Sequence, residues 1–186
     1  MKRIFVGIAL PEKLRAEVSA FAARLGTRLP GVEASWVPER NYHLTLEFLG
    51  STDLEREVRE RLSAIRCEPF SVTPSGVGAF PRMTRARVLW LGVESRELGE
   101  LARQTESALE PLGFSRHEFE PFKGHLTLAR LKRPAPVGDA LKAERGAVFS
   151  SFAVEEVVVY ESKTTPAGAE YHILDAIRLT PPAAKT

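Results

Sequence analysis

The 186-residue chain contains one cysteine, Cys67. An internal disulfide is thereby excluded, and a cysteine-based zinc site lacks its ligands. Next to Arg66, the lone thiol reads as a half-buried group at a helix end rather than a nucleophile. Long apolar runs are missing too, which excludes a membrane-spanning helix. Lys2 and Arg3 before a short apolar stretch imitate a signal peptide, but Pro11-Glu12-Lys13 ends that stretch with no small-residue cleavage site. The expectation is a cytoplasmic protein with no membrane partner. Charge of one sign is not in excess either: 26 Lys and Arg stand against 24 Asp and Glu, a net +2. That is too little to argue nucleic-acid binding by itself, and any basic patch would have to be assembled by folding.

The remaining composition is that of an ordinary folded protein, with 44% hydrophobic and 27% charged residues. Such proportions argue against disorder before the last residues, Pro181 to Thr186. The length suits one domain with two lobes over residues 1–186, expected as a monomer.

Short apolar runs and 3.6-residue periodicities alternate along the chain. Ile4–Leu10 reads as a buried strand stopped by Pro11. Glu12–Leu29 follows as a helix with Leu14, Val18, Phe21, Ala22 and Leu25 on one face. Ala34–Val37 is extended. Asp53–Ile65 reads as a charged helix capped by Thr52 or Asp53. Phe70–Phe80 is extended, with a bend at Gly76 and Gly78, and Pro81–Arg85 is a turn. Arg87–Val93 is a strand, and Arg96–Leu112 a helix with Leu98, Leu101, Leu109 and Leu112 inside. Ala135–Arg145 holds a short helix, and Phe149–Glu161 with Tyr171–Thr180 form a hairpin. Trp36 and Trp90 sit in apolar strand contexts and read as core. The fold class is α+β, with mostly antiparallel strands.

One feature exceeds ordinary patterning. Residues 43–46 and residues 125–128 both read His-Leu-Thr-Leu, in Tyr42-HLTL-Glu-Phe-Leu49 and Gly124-HLTL-Ala-Arg-Leu131. The chain has four histidines, and two of them begin the same tetrapeptide. Such an internal repeat predicts two related halves. On a strand, His and Thr point to one face and the two leucines to the other. A lone histidine on a strand is most often an ordinary polar residue, but nothing structural demands it twice on the polar face. Brought together, His43, Thr45, His125 and Thr127 would offer a phosphate two imidazoles and two hydroxyls. One imidazole can take a proton while the other gives one. The hydroxyls can donate to oxygens where charge builds up. Arg130 could add a two-donor fork, but it lies five residues after His125. Strict alternation puts it on the wrong face unless a bulge intervenes. Two histidines without a carboxylate at ligand spacing make a poor metal site, so no metal and no other cofactor is expected. His117 and His172 read as solvated.

At these residues the sequence resembles the 2H phosphoesterase superfamily. More narrowly it resembles the RNA 2′,3′-cyclic phosphodiesterases, also called 2′-5′ RNA ligases. RIFVGIALP, HLTLEFLG, GVGAFPR with ARVLWLGV, and PFKGHLTLAR carry that resemblance over nearly the whole chain. It implies a two-lobed pseudo-symmetric fold with antiparallel sheets lining a central cleft, helices outside, and one motif per lobe. It implies hydrolysis of 2′,3′-cyclic phosphate RNA ends to 2′-phosphates, and reversible 2′-5′ joining. It carries His43 and His125 over as catalytic, and Thr45, Thr127 and Arg130 as phosphate contacts. Phe48 carries over as a base-stacking residue, although its strand parity with Leu46 leaves a core role open. Gly124 stands where relatives often have proline, and no aromatic lies near Leu10. A phosphodiesterase of small nucleotides or 2′-5′ oligonucleotides is the alternative enzyme, and a non-catalytic RNA-end binder the alternative of another class. In the hydrolytic direction His125 is assigned as base and His43 as acid.

Overall fold

The computed structural model describes residues 1–114, 122–166 and 168–182. His117 lies outside the described residues. The order of elements is β1 (Lys2–Ala9), α1 (Glu12–Thr27), β2 (Ala34–Trp36), β3 (His43–Thr52), α2 (Glu55–Leu62), β4 (Phe70–Val72), β5 (Val77–Phe80), β6 (Ala86–Gly92) and α3 (Arg96–Leu109). There follow β7 (His125–Ala135), α4 (Gly138–Ala143), β8 (Phe152–Val154), β9 (Glu156–Thr165) and β10 (Gly168–Arg178). An eight-stranded sheet runs β10-β9-β1-β3-β7-β6-β5, with β2 also paired to β7, and every pairing is antiparallel. β4 and β8 form a separate two-stranded ribbon.

The sheet consists of two leaves, one per repeat. β10-β9-β1-β3 is the first, and β7-β6-β5 with β2 the second. They join where β3 meets β7, at the register pair Leu44↔Leu126. The two lobes are therefore one continuous sheet, and their motif faces lie side by side across the junction. Because β3 and β7 pair at so short a stretch, they diverge on either side of it and leave room between them.

The helices cover the leucine side. α1 buries the five residues expected from its periodicity, Leu14, Val18, Phe21, Ala22 and Leu25. α3 is capped by the Ser95 hydroxyl, which accepts from the Leu98 backbone N–H at 3.2 Å, the usual way to satisfy an orphan helix donor. The helix expected to reach Leu112 ends as α3 at Leu109, followed by a 3-10 turn through Pro111. α2 is shorter than its apolar stripe: Thr52 accepts from the Leu54 N–H, and Ile65 is buried beyond the helix end. Cys67 is buried, its thiol donating to the Glu68 carbonyl, and burial pushes the thiol up. Trp36 is half-buried and packs against α1 at Gly26, as a core-side residue.

Leu44 and Leu126 are both 0% exposed. Truncating either to alanine should cost about 2–5 kcal/mol, the range for a buried leucine whose cavity cannot collapse. The two losses should be non-additive, because the side chains are direct register partners. Urea unfolding of both single variants and the double variant checks this. Losses under about 1 kcal/mol, well below that range, would show that the leaves are held elsewhere.

Candidate active site

β3 and β7 show the same succession of exposed and buried positions through their first nine residues. His43, Thr45, His125 and Thr127 are half-buried on one face, while Leu44, Leu46, Leu126 and Leu128 are fully buried on the other. The antiparallel sense sets His43 on the Thr127 side of the junction and His125 on the Thr45 side.

Both strands then break their alternation at the same place. In β3, Gly7 pairs with Thr45 but Val6 pairs with Glu47, so Leu46 is an extra residue. In β7, Trp90 pairs with Thr127 but Leu89 pairs with Ala129, so Leu128 is extra. Two successive residues turn inward at each bulge, Leu46-Glu47 and Leu128-Ala129. The next side chain is thereby returned to the His/Thr face. That residue is Phe48 in one strand and Arg130 in the other, and both line the cleft. The bulge that Arg130 required is present. Phe48 is 61% exposed and its ring lies 5.7 Å from that of Phe5, which removes it from the core.

The two histidines are held alike. Nδ1 of His43 lies 2.7 Å from the Asn41 carbonyl, and Nδ1 of His125 lies 2.8 Å from the Lys123 carbonyl, two residues back in each case. A carbonyl can only accept, so each Nδ1 carries a proton and each neutral ring turns an unprotonated Nε2 outward. Aromatic side chains wall both rings. His43 lies 4.7 Å from Phe5 and 5.0 Å from Tyr171, and His125 lies 5.1 Å from Phe80. Burial draws His43 down to about 4, against the opposing pull of the Asn41 carbonyl, and the positive charges of His125 and Arg130 add to the fall. Burial lowers His125 too, helped by Arg130 and Lys123. The protein surroundings of both rings therefore favour the neutral form.

The cleft has a volume of about 480 Å³ and an aromatic, polar and cationic lining. It gathers every site residue expected from sequence, His43, His125, Thr45, Thr127, Arg130 and Phe48. It also contains residues the sequence did not single out, among them Asn41, Tyr171, Phe80, Arg87 and Lys123. Asn41 is buried, and its side-chain amide donates to the Ala169 carbonyl at 2.6 Å, fixing the turn that supports His43. Lys123 reaches over Trp90 at 4.5 Å from the ring centre. Spacing was the available signal, since Asn41 and Lys123 precede their histidines equally. Their common contribution is a main-chain carbonyl, which leaves no trace in residue identity. His172 is exposed on β10 and lines no part of the cleft.

Two glycines set the approach of the motif strands. A Cβ at Gly7 would collide with the Leu44 carbonyl, and a Cβ at Gly124 with the Val93 carbonyl, so a side chain at either position would force the backbones apart. Gly124 also ties the path to His125 to the neighbouring chain: its own carbonyl accepts from the Val93 N–H at 2.9 Å. Among the described residues, no three His, Cys, Asp or Glu side chains converge as a metal-binding group, and no helix is long and apolar enough to cross a membrane.

A duplicated bulged strand that offers one histidine and one threonine from each half to a shared cleft defines a two-histidine phosphoesterase scaffold. The chain belongs to the LigT like phosphoesterase family, whose model matches residues 8–90 and again residues 91–171, one match for each repeat. An Archaeoglobus fulgidus protein named RNA 2′,3′-cyclic phosphodiesterase is 36% identical over 91% of this chain and 96% of its own. The crystal structure of TT0787 from Thermus thermophilus superposes with a TM-score of 0.79 at 27% identity, covering 96% of this chain and 98% of that one. Escherichia coli LigT complexed with 3′-AMP gives a TM-score of 0.76 at 30% identity, with the same coverage of both chains.

An anion between the rings should reverse their preference for neutrality. In histidine-resolved NMR titrations, His43 and His125 should titrate below the ordinary imidazole value of about 6.5. Adding inorganic phosphate should move both upward. Midpoints at or above the ordinary value without phosphate, or no response to phosphate, would contradict the buried, cation-flanked setting.

Proposed function

We propose that this protein hydrolyses RNA ends carrying a 2′,3′-cyclic phosphate to 2′-phosphates, with 2′-5′ joining as the reverse reaction. The observation that carries this reading is the pair of Nε2 edges, presented from equivalent strands into one cleft beside Arg130 and two threonine hydroxyls. The names of the relatives support it, and so does the nucleotide held by the Escherichia coli structure. Hydrolysis to a 2′-phosphate breaks the bond from phosphorus to the 3′-oxygen. Water must then enter opposite that oxygen, so the two proton-transfer groups belong on opposite sides of phosphorus.

In the proposed step, Nε2 of His125 takes a proton from water as its oxygen bonds to phosphorus. The 3′-oxygen leaves with a proton from Nε2 of His43. One ring ends protonated and the other neutral, the reverse of the start, and solvent exchange restores them. The bound phosphodiester supplies the negative charge that protonates one ring in a cleft that otherwise keeps both neutral. A ring whose proton is held weakly is the stronger donor once loaded, which suits His43 to the leaving oxygen. Arg130, Thr45 and Thr127 would hold the non-bridging oxygens, where negative charge concentrates in the transition state. Phe48 would stack on the base, as exposed aromatics do in sequence-tolerant binding.

Replacing His43 or His125 by alanine should each lower turnover by about 10²–10⁴, the usual contribution of a positioned proton-transfer group. A substrate whose leaving group is an activated aryl oxide needs no acid, so it should restore much of the His43→Ala loss and little of the His125→Ala loss. Rescue of the His125 variant instead would exchange the two roles. Losses below about tenfold in both variants, against that same range, would remove the pair from the chemistry.

A further inference from the structure

Beside the cleft lies a second hollow of about 420 Å³, walled by Pro81, Arg82, Arg85 and Arg87. Pro81 and Arg87 also line the catalytic cleft, so the two spaces share a wall. One segment builds that wall. β5 ends at Phe80, whose ring meets His125, and the chain turns through Met83–Arg85 before Ala86 opens β6. The turn is pinned from both sides: the Arg85 N–H donates to the Arg82 carbonyl, and the Val137 N–H to the Met83 carbonyl.

The charge of this region is one-sided in a protein that is nearly balanced overall. Arg82, Arg85 and Arg87 are exposed, and among the described residues none of them forms an ion pair. Among the described residues, no carboxylate lines either space. Elsewhere, arginines brought together share an acid: Arg24 and Arg28 both bind the buried Glu144 carboxylate, at 3.0 and 2.6 Å. Three clustered guanidinium groups without such a partner repel one another until an anion joins them. Guanidinium forks fit phosphate oxygens in particular.

We infer that this hollow binds the phosphate on the 5′ side of the terminal nucleotide, so that the protein selects an RNA strand over a free mononucleotide. The inference rests on the proposed hydrolysis of cyclic phosphate ends. With the cyclic phosphate between the histidines, the strand can continue only towards its 5′ side. The next anion along it is one nucleotide away, and the adjoining basic space is this one. A basic groove that tracks the backbone is the usual means of holding a single strand without reading its sequence.

The test compares wild type with an Arg82→Gln, Arg85→Gln double variant on two substrates. One is a nucleoside 2′,3′-cyclic phosphate with no 5′-phosphate, and the other a tetranucleotide with the same end. The variant should raise KM for the tetranucleotide about tenfold, the order expected when two exposed charge interactions are removed. The nucleoside substrate should keep its kcat/KM within about twofold, which also shows that the variant is folded. For the tetranucleotide, the slope of log kcat/KM against log salt should shrink by about 0.7, as for one fewer phosphate neutralised on a single strand. Equal changes with both substrates, or no change with the tetranucleotide, would overturn the inference. If wild type cleaves neither substrate, the hydrolase reading falls on its own. The hollow is then judged by anisotropy of a labelled tetranucleotide ending in a 2′-phosphate. Its affinity drops about tenfold in the variant if the inference holds, by the same reckoning for two arginines, and is unchanged if it fails.

Discussion

The register pair Leu44↔Leu126 is the contact on which the arrangement of the site depends. Both side chains are fully buried, and their pairing locks the two repeats with the same side of each strand towards the helices. Once the leucines are committed to the core, strand alternation leaves His43, Thr45, His125 and Thr127 no face but the cleft. A slip of one residue in either strand would bury its histidine and expose its leucines. The hydrophobic term that stabilises the fold is therefore also the term that orients the two imidazoles.

The same burial tunes their chemistry. Burial among aromatic walls, together with nearby cations, makes a charged imidazole costly, so both rings are held below their ordinary range. An anionic phosphate reverses that cost, because it offers a counter-charge in a place with little water. In the proposed mechanism, proton loading of the acid is thereby coupled to arrival of the substrate. The duplicated bulges add the remaining parts. They give up the regular ladder at one residue per strand and return Phe48 and Arg130 to the cleft, placing an apolar platform on one side and a cation on the other.

Much of this was legible in the sequence, because the determinants are local. The α1 stripe, the paired HLTL faces and the α+β order follow from periodicity alone, and each is found in the fold. Parity was the right tool for His43, Thr45, His125 and Thr127, and it failed one residue later. Alternation assigns Phe48 and Arg130 to the core side, and only the inserted Leu46 and Leu128 reverse this. Such bulges are set by pairing with β1 and β6, which no single strand reveals. The Asn41 and Lys123 carbonyls were invisible for a different reason, since a main-chain acceptor has no residue identity. The arginines of the hollow stand together in one short segment, residues 81–87, but only the fold shows that this segment turns beside the catalytic cleft. A net charge of +2 gave no sign of it.

The central claim is that two equivalent histidines, one neutral and one protonated, act together on one phosphodiester. The pH dependence of single-turnover cleavage of a cyclic phosphate RNA end, measured for wild type, His43→Ala and His125→Ala, tests it most directly. Wild type should give a bell, because each flank reports one ring in the wrong protonation state. His125→Ala should lose the acidic flank, where the base would be protonated, and His43→Ala the alkaline flank, where the acid would be spent. A monotonic wild-type profile, or a bell retained by both variants, would contradict the account.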